Sequence, residues 1–245
     1  MAISITFAES IENHVGMQRI ESGCMGGGWT YDDLLAIKNR VRSPSYIYQL
    51  NGLIREPDPS IEIDNAAILI IRDFVGGCCD LDQSSIYEEL QRLDWDKKAL
   101  IRGRVVNKKA RWNLCFADTS QSPDYDKGMG RVYDINKTPL NSIRNTIYNL
   151  VGHKLFAEGN YYYNNKCYIG FHGDGERKCV FGVNFAPNNT LRYLNYQWYY
   201  NCNSVSDVLK ILLRPGDAYI MSEKATGNDW RKKSIYTLRH SATFD

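Results

Sequence analysis

The sequence NYYYNNKCYIGFHGDGER occupies residues 160–177 and contains the arrangement His172-Gly173-Asp174. Side chains two residues apart project to the same side of an extended chain, so this imidazole and this carboxylate can bind one ion. A third ligand from elsewhere would complete a set of two histidines and one carboxylate. That set leaves three adjacent coordination positions open and is typical of non-haem iron(II) oxygenases. The stretch therefore predicts a metal centre where a strand meets a loop.

The third ligand is expected to be a distant histidine. Of the four histidines in the chain, His240 is the one that follows the His172–Asp174 pair. Residues 234–238, Ser-Ile-Tyr-Thr-Leu, are typical of a strand that would deliver it. His172, Asp174 and His240 are thus the predicted metal ligands and catalytic centre, and a purely structural role for His172 is the alternative.

Length and composition limit the class of protein. The chain has 245 residues, 43% hydrophobic and 24% charged, which is enough for one large or two small domains with a buried core. A net charge of +2 neither favours nor excludes a polyanionic partner. Seven cysteines without CxxC spacing favour reduced thiols, and so a cytoplasmic or nuclear protein, over a disulfide scaffold. The sequence predicts no signal peptide and no membrane span, and a monomer is favoured.

Secondary structure is expected to change in character along the chain. Apolar spacing and capping residues predict helices at 30–41, 84–93 and 140–150, and a buried strand at 66–75. The glycines at 26–28 lack the Gly-Lys-Ser/Thr of a phosphate loop, which favours a flexible connection. From residue 156, short aromatic and β-branched runs predict seven strands, at 156–163, 166–171, 178–185, 191–200, 208–213, 218–221 and 235–238. This pattern indicates an α+β fold with a double-stranded β-helix (jelly-roll) core and flanking N-terminal helices.

Residues 156–177 resemble the AlkB family of Fe(II)/2-oxoglutarate-dependent dioxygenases. In that family Asn-x-Tyr is followed by His-x-Asp, with the histidine twelve residues after the asparagine, and Asn160, Tyr162, His172 and Asp174 match this spacing. Glu176 and Arg177 match the acidic residue and arginine that often follow. The resemblance covers roughly residues 100–245, and the whole chain looks like AlkB-like proteins of large DNA viruses and microbial eukaryotes. We expect an N-terminal extension of unassigned role at 1–80, an AlkB-like dioxygenase domain at 81–245, and a viral protein acting in a host cell.

A second, looser match lies upstream. Residues 104–114 resemble the family's lid over a flipped nucleotide, which implies substrate contacts from Lys108 and Arg111. The basic residues between 97 and 111, with Trp95 and Trp112 beside them, also suit phosphate contacts and base stacking. A solvated basic surface is the alternative interpretation.

The C-terminal end departs from the family. AlkB-like proteins carry two arginines after the distal histidine to hold 2-oxoglutarate, whereas only Ser-Ala-Thr-Phe-Asp follows His240. Arg239 is the candidate anchor nearest in sequence, although neighbouring residues on a strand face opposite ways. Arg231, Arg177 and Arg192 remain alternatives, because bidentate recognition of a carboxylate favours arginine.

The resemblance implies an Fe(II)-dependent reaction of O2 and 2-oxoglutarate that yields succinate and a hydroxylated C–H bond. On an N-methylated base the hydroxymethyl product would lose formaldehyde, as in DNA repair by demethylation. Asn160, Tyr162 and Arg239 would bind the co-substrate, and Glu176 and Arg177 would read a single-stranded or flipped base. A protein or small-molecule hydroxylase on the same fold, or a non-catalytic nucleic-acid-binding module, are the alternatives.

Overall fold

Strands make up most of the regular structure in the computed structural model, which describes residues 1–23 and 26–244. The four α-helices of this part are α1 (Tyr31–Lys38), α2 (Gln83–Gln91), α3 (Leu140–Val151) and α4 (Glu223–Thr226). The strands are β1 (Ala2–Ala8), β2 (Ser10–Glu12), β3 (Arg19–Glu21), β4 (Ser45–Gln49), β5 (Ala67–Ile71), β6 (Lys98–Ile101), β7 (Arg104–Asn107), β8 (Trp112–Ala117), β9 (Val132–Asp134), β10 (Phe156–Tyr162), β11 (Ile169–His172), β12 (Val180–Phe185), β13 (Arg192–Tyr200), β14 (Asn203–Ser204), β15 (Leu209–Leu213), β16 (Ala218–Met221) and β17 (Thr237–Phe244). The predicted α+β class is confirmed.

The three longer helices lie within three residues of their predicted bounds. The Thr30 hydroxyl and the Asp33 carboxylate cap the start of α1 reciprocally, which satisfies backbone N–H groups that have no partner within the helix. The Asp82 carboxylate accepts hydrogen bonds from the first turn of α2. Gly152 ends α3 in the left-handed conformation, at φ 75°. These local signals placed the helices to within a few residues.

Most strands belong to two antiparallel sheets. The larger has the order β4-β5-β16-β12-β1-β10-β8-β9, in which only the β8–β9 pair is parallel. The smaller has the order β11-β17-β13-β14, with β15 also paired to β13. All seven strands predicted after residue 156 are present, although β17 continues beyond its predicted end to Phe244.

The two sheets pack face to face over an apolar layer. Ile68, Ile70 and Met221 of the larger sheet belong to the same buried cluster as Leu194, Trp198 and Leu238 of the smaller one. The opposite face of the larger sheet is covered by α1, α2 and α3. Burial of apolar area on both faces therefore holds the larger sheet in the middle of the fold.

The expected domain boundary at residue 80 is not present in the larger sheet, which contains strands from both sides of it. Strand β1 lies between β10 and β12 and pairs with both, while β5 pairs with β16. Residues 1–80 thus supply three strands of this sheet rather than an appended extension. Without β1, the facing edges of β10 and β12 would lose their hydrogen-bond partners, which is costly for buried backbone.

The described residues include no helix that is long and apolar enough to cross a membrane. The six described cysteines are free thiols, as expected, and Cys24 lies outside the described residues.

Candidate metal centre

The three predicted metal ligands lie together between the two sheets. His172 ends β11, His240 is its register partner on β17, and Asp174 follows two residues after His172. The Nε2 atoms of His172 and His240 lie 3.6 and 3.7 Å from Asp174 Oδ1, respectively. One ligand atom from each residue falls within 4.8 Å of the other two. The predicted convergence of these side chains is confirmed.

Their donor atoms suit a divalent metal. His172 Nδ1 lies 2.8 Å from the Gly170 carbonyl oxygen, so it carries the ring proton and leaves a lone pair on Nε2. Ligands about 2.1 Å from a metal in neighbouring positions are about 3.0 to 3.4 Å apart. The observed separations of 3.6 and 3.7 Å exceed this only slightly. Small side-chain movements would therefore bring all three into bonding distance of one ion.

His240 is kept neutral by its surroundings. It is buried, and burial, then the nearby His172 and Arg177, holds the pKa of its imidazole well below the ordinary value of 6.5. A neutral imidazole is the form that binds metals. Desolvation thus prepares His240 as a ligand across the physiological pH range.

The loop that carries Asp174 packs against the end of α4 and against Gly227, which follows that helix. The Asp174 backbone N–H donates to the Thr226 carbonyl at 2.9 Å. A Cβ atom on Gly173 would lie only 2.0 Å from the Gly227 carbonyl oxygen, so no other residue fits there without displacing the backbone. Gly227 itself adopts a φ of 67°. The glycine between the two ligands is therefore a packing requirement, which the His-Gly-Asp motif alone did not reveal.

A cavity of about 140 Å³ opens from the metal ligands. Alternate residues of β10, Glu158, Asn160 and Tyr162, form one wall, and Ser4 and Thr6 of β1 adjoin them. The remaining β1 side chains that alternate with these two pack against the helices. The alternation of β1 thus separates a polar cavity wall from the apolar core.

Asn160 and Tyr162 both line the cavity, as expected for residues that contact a co-substrate. The Asn160 amide, however, already has three protein partners. Its oxygen accepts from Arg111 Nε at 2.5 Å and from Asn113 Nδ2 at 2.8 Å, and its nitrogen donates to Glu158 at 3.2 Å. In this arrangement Asn160 orients Arg111 toward the cavity, and direct binding of a co-substrate by Asn160 stays a prediction.

Arg177 is a buried cavity residue rather than part of a solvated turn. Its Nη2 donates to Glu158 Oε2 at 2.7 Å and also to Glu176, and its Nε lies 4.0 Å from Asp174 Oδ2. Burial opposes its charge, but Glu158, Glu176 and Asp174 together raise its pKa well above the ordinary value. The guanidinium therefore neutralises carboxylates beside the metal ligands.

The β2–β3 hairpin supplies a cavity wall that the sequence interpretation missed. Glu12, Asn13, His14 and Val15 line the cavity. Burial, followed by the nearby Glu176 and Glu158, raises the pKa of Glu12 to about 7. The available signal was the apolar–polar alternation of residues 3–7, which is typical of a half-buried strand with its polar side chains on one face.

Glu12→Gln is expected to stabilise the protein above pH 7 and to have little effect at pH 5. Because the folded-state pKa is raised from 4.5 to about 7, the native protein holds this proton more tightly than the unfolded chain, so wild-type stability falls as pH rises through that window. Glutamine removes the penalty, by roughly 1–3 kcal/mol at pH 8. Urea unfolding at both pH values measures it, with the exposed Glu21→Gln as control. Equal differences at pH 5 and pH 8 would contradict the prediction.

Lys108 has a structural role, which corrects its assignment as a substrate contact. Its mostly buried Nζ donates to the Asn13 carbonyl, to Asn13 Oδ1 and to Asn113 Oδ1, at 3.0, 2.6 and 2.9 Å. Burial lowers the pKa of this amine to about 8. With its donors engaged, Lys108 is not free to contact a phosphate, whereas Arg111 does line the cavity as expected.

Arg239 faces away from the metal ligands, which corrects its assignment as the co-substrate anchor. Because it neighbours His240 on β17, its side chain projects to the opposite side of the sheet. Its Cζ lies 4.0 Å from the ring centroid of Tyr199 and 5.3 Å from that of Trp230. Arg192, one of the alternatives, lines the cavity instead.

Fold and site together define an α+β protein of two packed β-sheets with a His-Asp-His group that could bind a metal. No protein-family model matches the chain. Over 249 aligned residues the chain is 43% identical to the uncharacterized protein R156 of Acanthamoeba polyphaga mimivirus, and the alignment covers 99% of this chain and 96% of the viral protein. The chain belongs to the same family as that protein.

Proposed function

We propose that the protein is an AlkB-like Fe(II)/2-oxoglutarate-dependent dioxygenase with a double-stranded β-helix core, acting on alkylated or otherwise modified bases in nucleic acid. The observation that carries this proposal is the convergence of His172, Asp174 and His240 on one point of a cavity. Two histidines and one carboxylate leave three adjacent positions for a bidentate 2-oxo acid and O2. The position of the trio between two facing antiparallel sheets is consistent with this fold.

The donor set supports iron(II) as the resident metal. Two imidazole nitrogens and one carboxylate oxygen form the facial ligand set of non-haem iron(II) oxygenases, and the group contains no thiolate of the kind that selects copper(I) or an iron–sulfur cluster. When bound, Fe(II) with O2 would supply the oxidising chemistry that converts 2-oxoglutarate to succinate and CO2 while a substrate C–H bond is hydroxylated.

The protein's own groups would position and protect the reacting centre. The Gly170 carbonyl fixes the His172 tautomer, and the Arg177 guanidinium lies 4.0 Å from the Asp174 carboxylate. Deeper in the cavity, Val180, Leu194 and Met221 provide apolar walls that exclude water. These contacts hold the ligand side chains in one orientation.

An exposed basic hairpin, which the chain connects to the cavity wall, supports a nucleic-acid substrate. Lys98, Arg102 and Arg104 of the β6–β7 hairpin are solvent-exposed, and the chain leads from this hairpin to Arg111 in the cavity wall. Phosphates could contact the hairpin while an extruded base enters the cavity. Because the relative is viral, we further propose that the protein acts in the cytoplasm or nucleus of an infected cell.

The iron-loaded protein is expected to release succinate from 2-oxoglutarate faster with an N-methylated single-stranded oligonucleotide than with the unmethylated one. Formaldehyde should appear in step with the extra succinate. Turnover that no oligonucleotide stimulates would favour a protein or small-molecule hydroxylase. Absence of any iron-dependent turnover would favour the non-catalytic module.

The Arg102→Gln/Arg104→Gln variant tests separately whether the β6–β7 hairpin binds nucleic acid. Each lost phosphate contact reduces the slope of log affinity against log salt by about 0.7 for single strands. Weaker oligonucleotide binding with a shallower slope, and unchanged oligonucleotide-independent succinate release, is expected. Identical salt titrations for variant and wild type would exclude the hairpin as the binding surface.

A further inference from the structure

Aromatic and basic side chains meet on the outer face of the smaller sheet, away from the cavity. Tyr199 and Arg239 face outward, because the residue before Tyr199 and the residue after Arg239 face the interior between the sheets. The Arg239 Cζ lies 4.0 Å from the Tyr199 ring centroid and 5.3 Å from that of Trp230. The Phe171 ring centroid lies 6.2 Å from that of Tyr199. We call this half-buried set the outer platform: Phe171, Tyr199, Trp230 and Arg239.

Exposed cations adjoin the outer platform without a carboxylate to neutralise them. Residues 231–233, Arg-Lys-Lys, directly follow Trp230 and are exposed. In the described part of the chain no carboxylate forms an ion pair with these three or with Arg239, whose Nε also lacks a hydrogen-bond partner there. Asp229, the nearest acidic residue in sequence, pairs with Lys224 instead. The net charge of the whole chain is only +2, so this is a local concentration of positive charge that attracts a polyanion.

The outer platform is in contact with the metal loop. Phe171 immediately precedes the metal ligand His172 on β11. A Cβ atom on Gly173 would lie 2.8 Å from the Trp230 Cβ, and the Trp230 N–H donates to the Gly227 carbonyl at 2.9 Å. A molecule bound to the outer platform would therefore lie next to the segment that carries two of the metal ligands.

We propose that the outer platform and residues 231–233 bind a single-stranded nucleic acid, on a surface separate from the cavity. The lysines and arginines would contact phosphates, and the aromatic rings would stack on unpaired bases. Bases within a duplex are already stacked on one another, so the rings favour single strands. An acidic peptide would match the charge but would leave the rings without bases to stack on. The choice of a nucleic acid rests on the proposed function.

Fluorescence anisotropy with labelled oligothymidylate tests the charged part of this surface. Lys232→Gln/Lys233→Gln should bind more weakly, and its slope of log affinity against log salt should be shallower by about 1.4, or about 0.7 for each lost phosphate contact. The matched control is Arg40→Gln/Arg42→Gln, which removes two exposed charges just after α1, on the face that the helices cover, and should bind like the wild type. Both variants should keep wild-type stability in urea, because all four side chains are exposed.

Tyr199→Leu tests the stacking part without a change of charge. It should weaken oligothymidylate binding roughly 5- to 100-fold, the usual effect of losing one base-stacking ring, and should leave the salt slope unchanged. Wild-type affinity in this variant would mean that charge alone binds the strand, which overturns the platform. Should Tyr199→Leu not fold, competition with unlabelled duplex decides the same point. A single strand that competes better than the duplex supports stacking, and a duplex that competes equally well or better overturns it.

These measurements need neither iron nor turnover, so they separate this inference from the proposed function. If the wild type and Lys232→Gln/Lys233→Gln bind oligothymidylate with equal affinity and equal slope, the outer platform is overturned while the proposed function stands. If the wild type binds neither DNA nor RNA but binds polyglutamate, both are overturned. Platform-dependent binding without oligonucleotide-stimulated succinate release supports the platform and overturns the proposed function alone.

Discussion

Asp174→Ala is expected to abolish iron-dependent succinate formation and to weaken divalent metal binding by more than about 100-fold, since even loss of a residue that only supports a ligand costs 10- to 100-fold. Asp174 is the one carboxylate of the ligand group, and its Oδ1 faces the Nε2 atoms of both histidines at 3.6 and 3.7 Å. Its removal leaves two imidazoles and no negative charge to offset that of the ion. Titration with Mn(II) and a succinate assay measure the two effects.

The matched control for this prediction is Asp64→Ala, because the Asp64 side chain is 74% exposed and lies outside the ligand group. It should leave both readouts unchanged. Asp174→Ala is also expected to fold, because Arg177 keeps its contacts with Glu158 and Glu176. Wild-type metal affinity in Asp174→Ala would show that the metal, if any binds, lies elsewhere.

Arg177→Met is expected to destabilise the protein by about 3–5 kcal/mol, the usual cost of removing one partner from a buried ion pair. The buried guanidinium contacts Glu158 and Glu176 and lies 4.0 Å from Asp174, and methionine would leave these carboxylates facing one another. Because repulsion between these unpaired charges opposes folding, the stability of the variant should fall further as the pH increases. Urea unfolding at pH 5 and pH 8 gives both quantities.

Two further variants make the Arg177 result specific. Arg19→Met removes an arginine whose side chain is 53% exposed and that faces Glu12 at 3.6 Å, so it should cost less than about 1 kcal/mol. Adding Glu158→Gln to Arg177→Met should recover part of the loss, because one unpaired carboxylate is removed. A loss below about 1 kcal/mol for Arg177→Met at both pH values would mean that the cluster is more hydrated than its burial implies.

The sequence by itself determined the local elements. Apolar residues at helical spacing marked α1 and α2. The caps at Thr30–Asp33 and Asp82, which the structure shows, satisfy the first free N–H groups of these helices. Runs of β-branched and aromatic residues marked the strands after residue 156. The two-residue spacing of His172 and Asp174 likewise determined that both can reach one ion, because side chains alternate along extended backbone.

Only the tertiary structure decided which distant residues meet these elements. Strand β1 lies in the middle of the larger sheet because its backbone forms hydrogen bonds with both β10 and β12. No local sequence pattern predicts which strands will be neighbours in a sheet. The β2–β3 hairpin, which follows β1, likewise brought Asn13 to the partly buried Lys108 amine. The register of β13 against β17 placed Arg192 on the cavity side and Arg239 on the other. Which side a residue faces follows from local periodicity, but which groups it faces depends on strand order and register, and these are decided by packing over the whole chain.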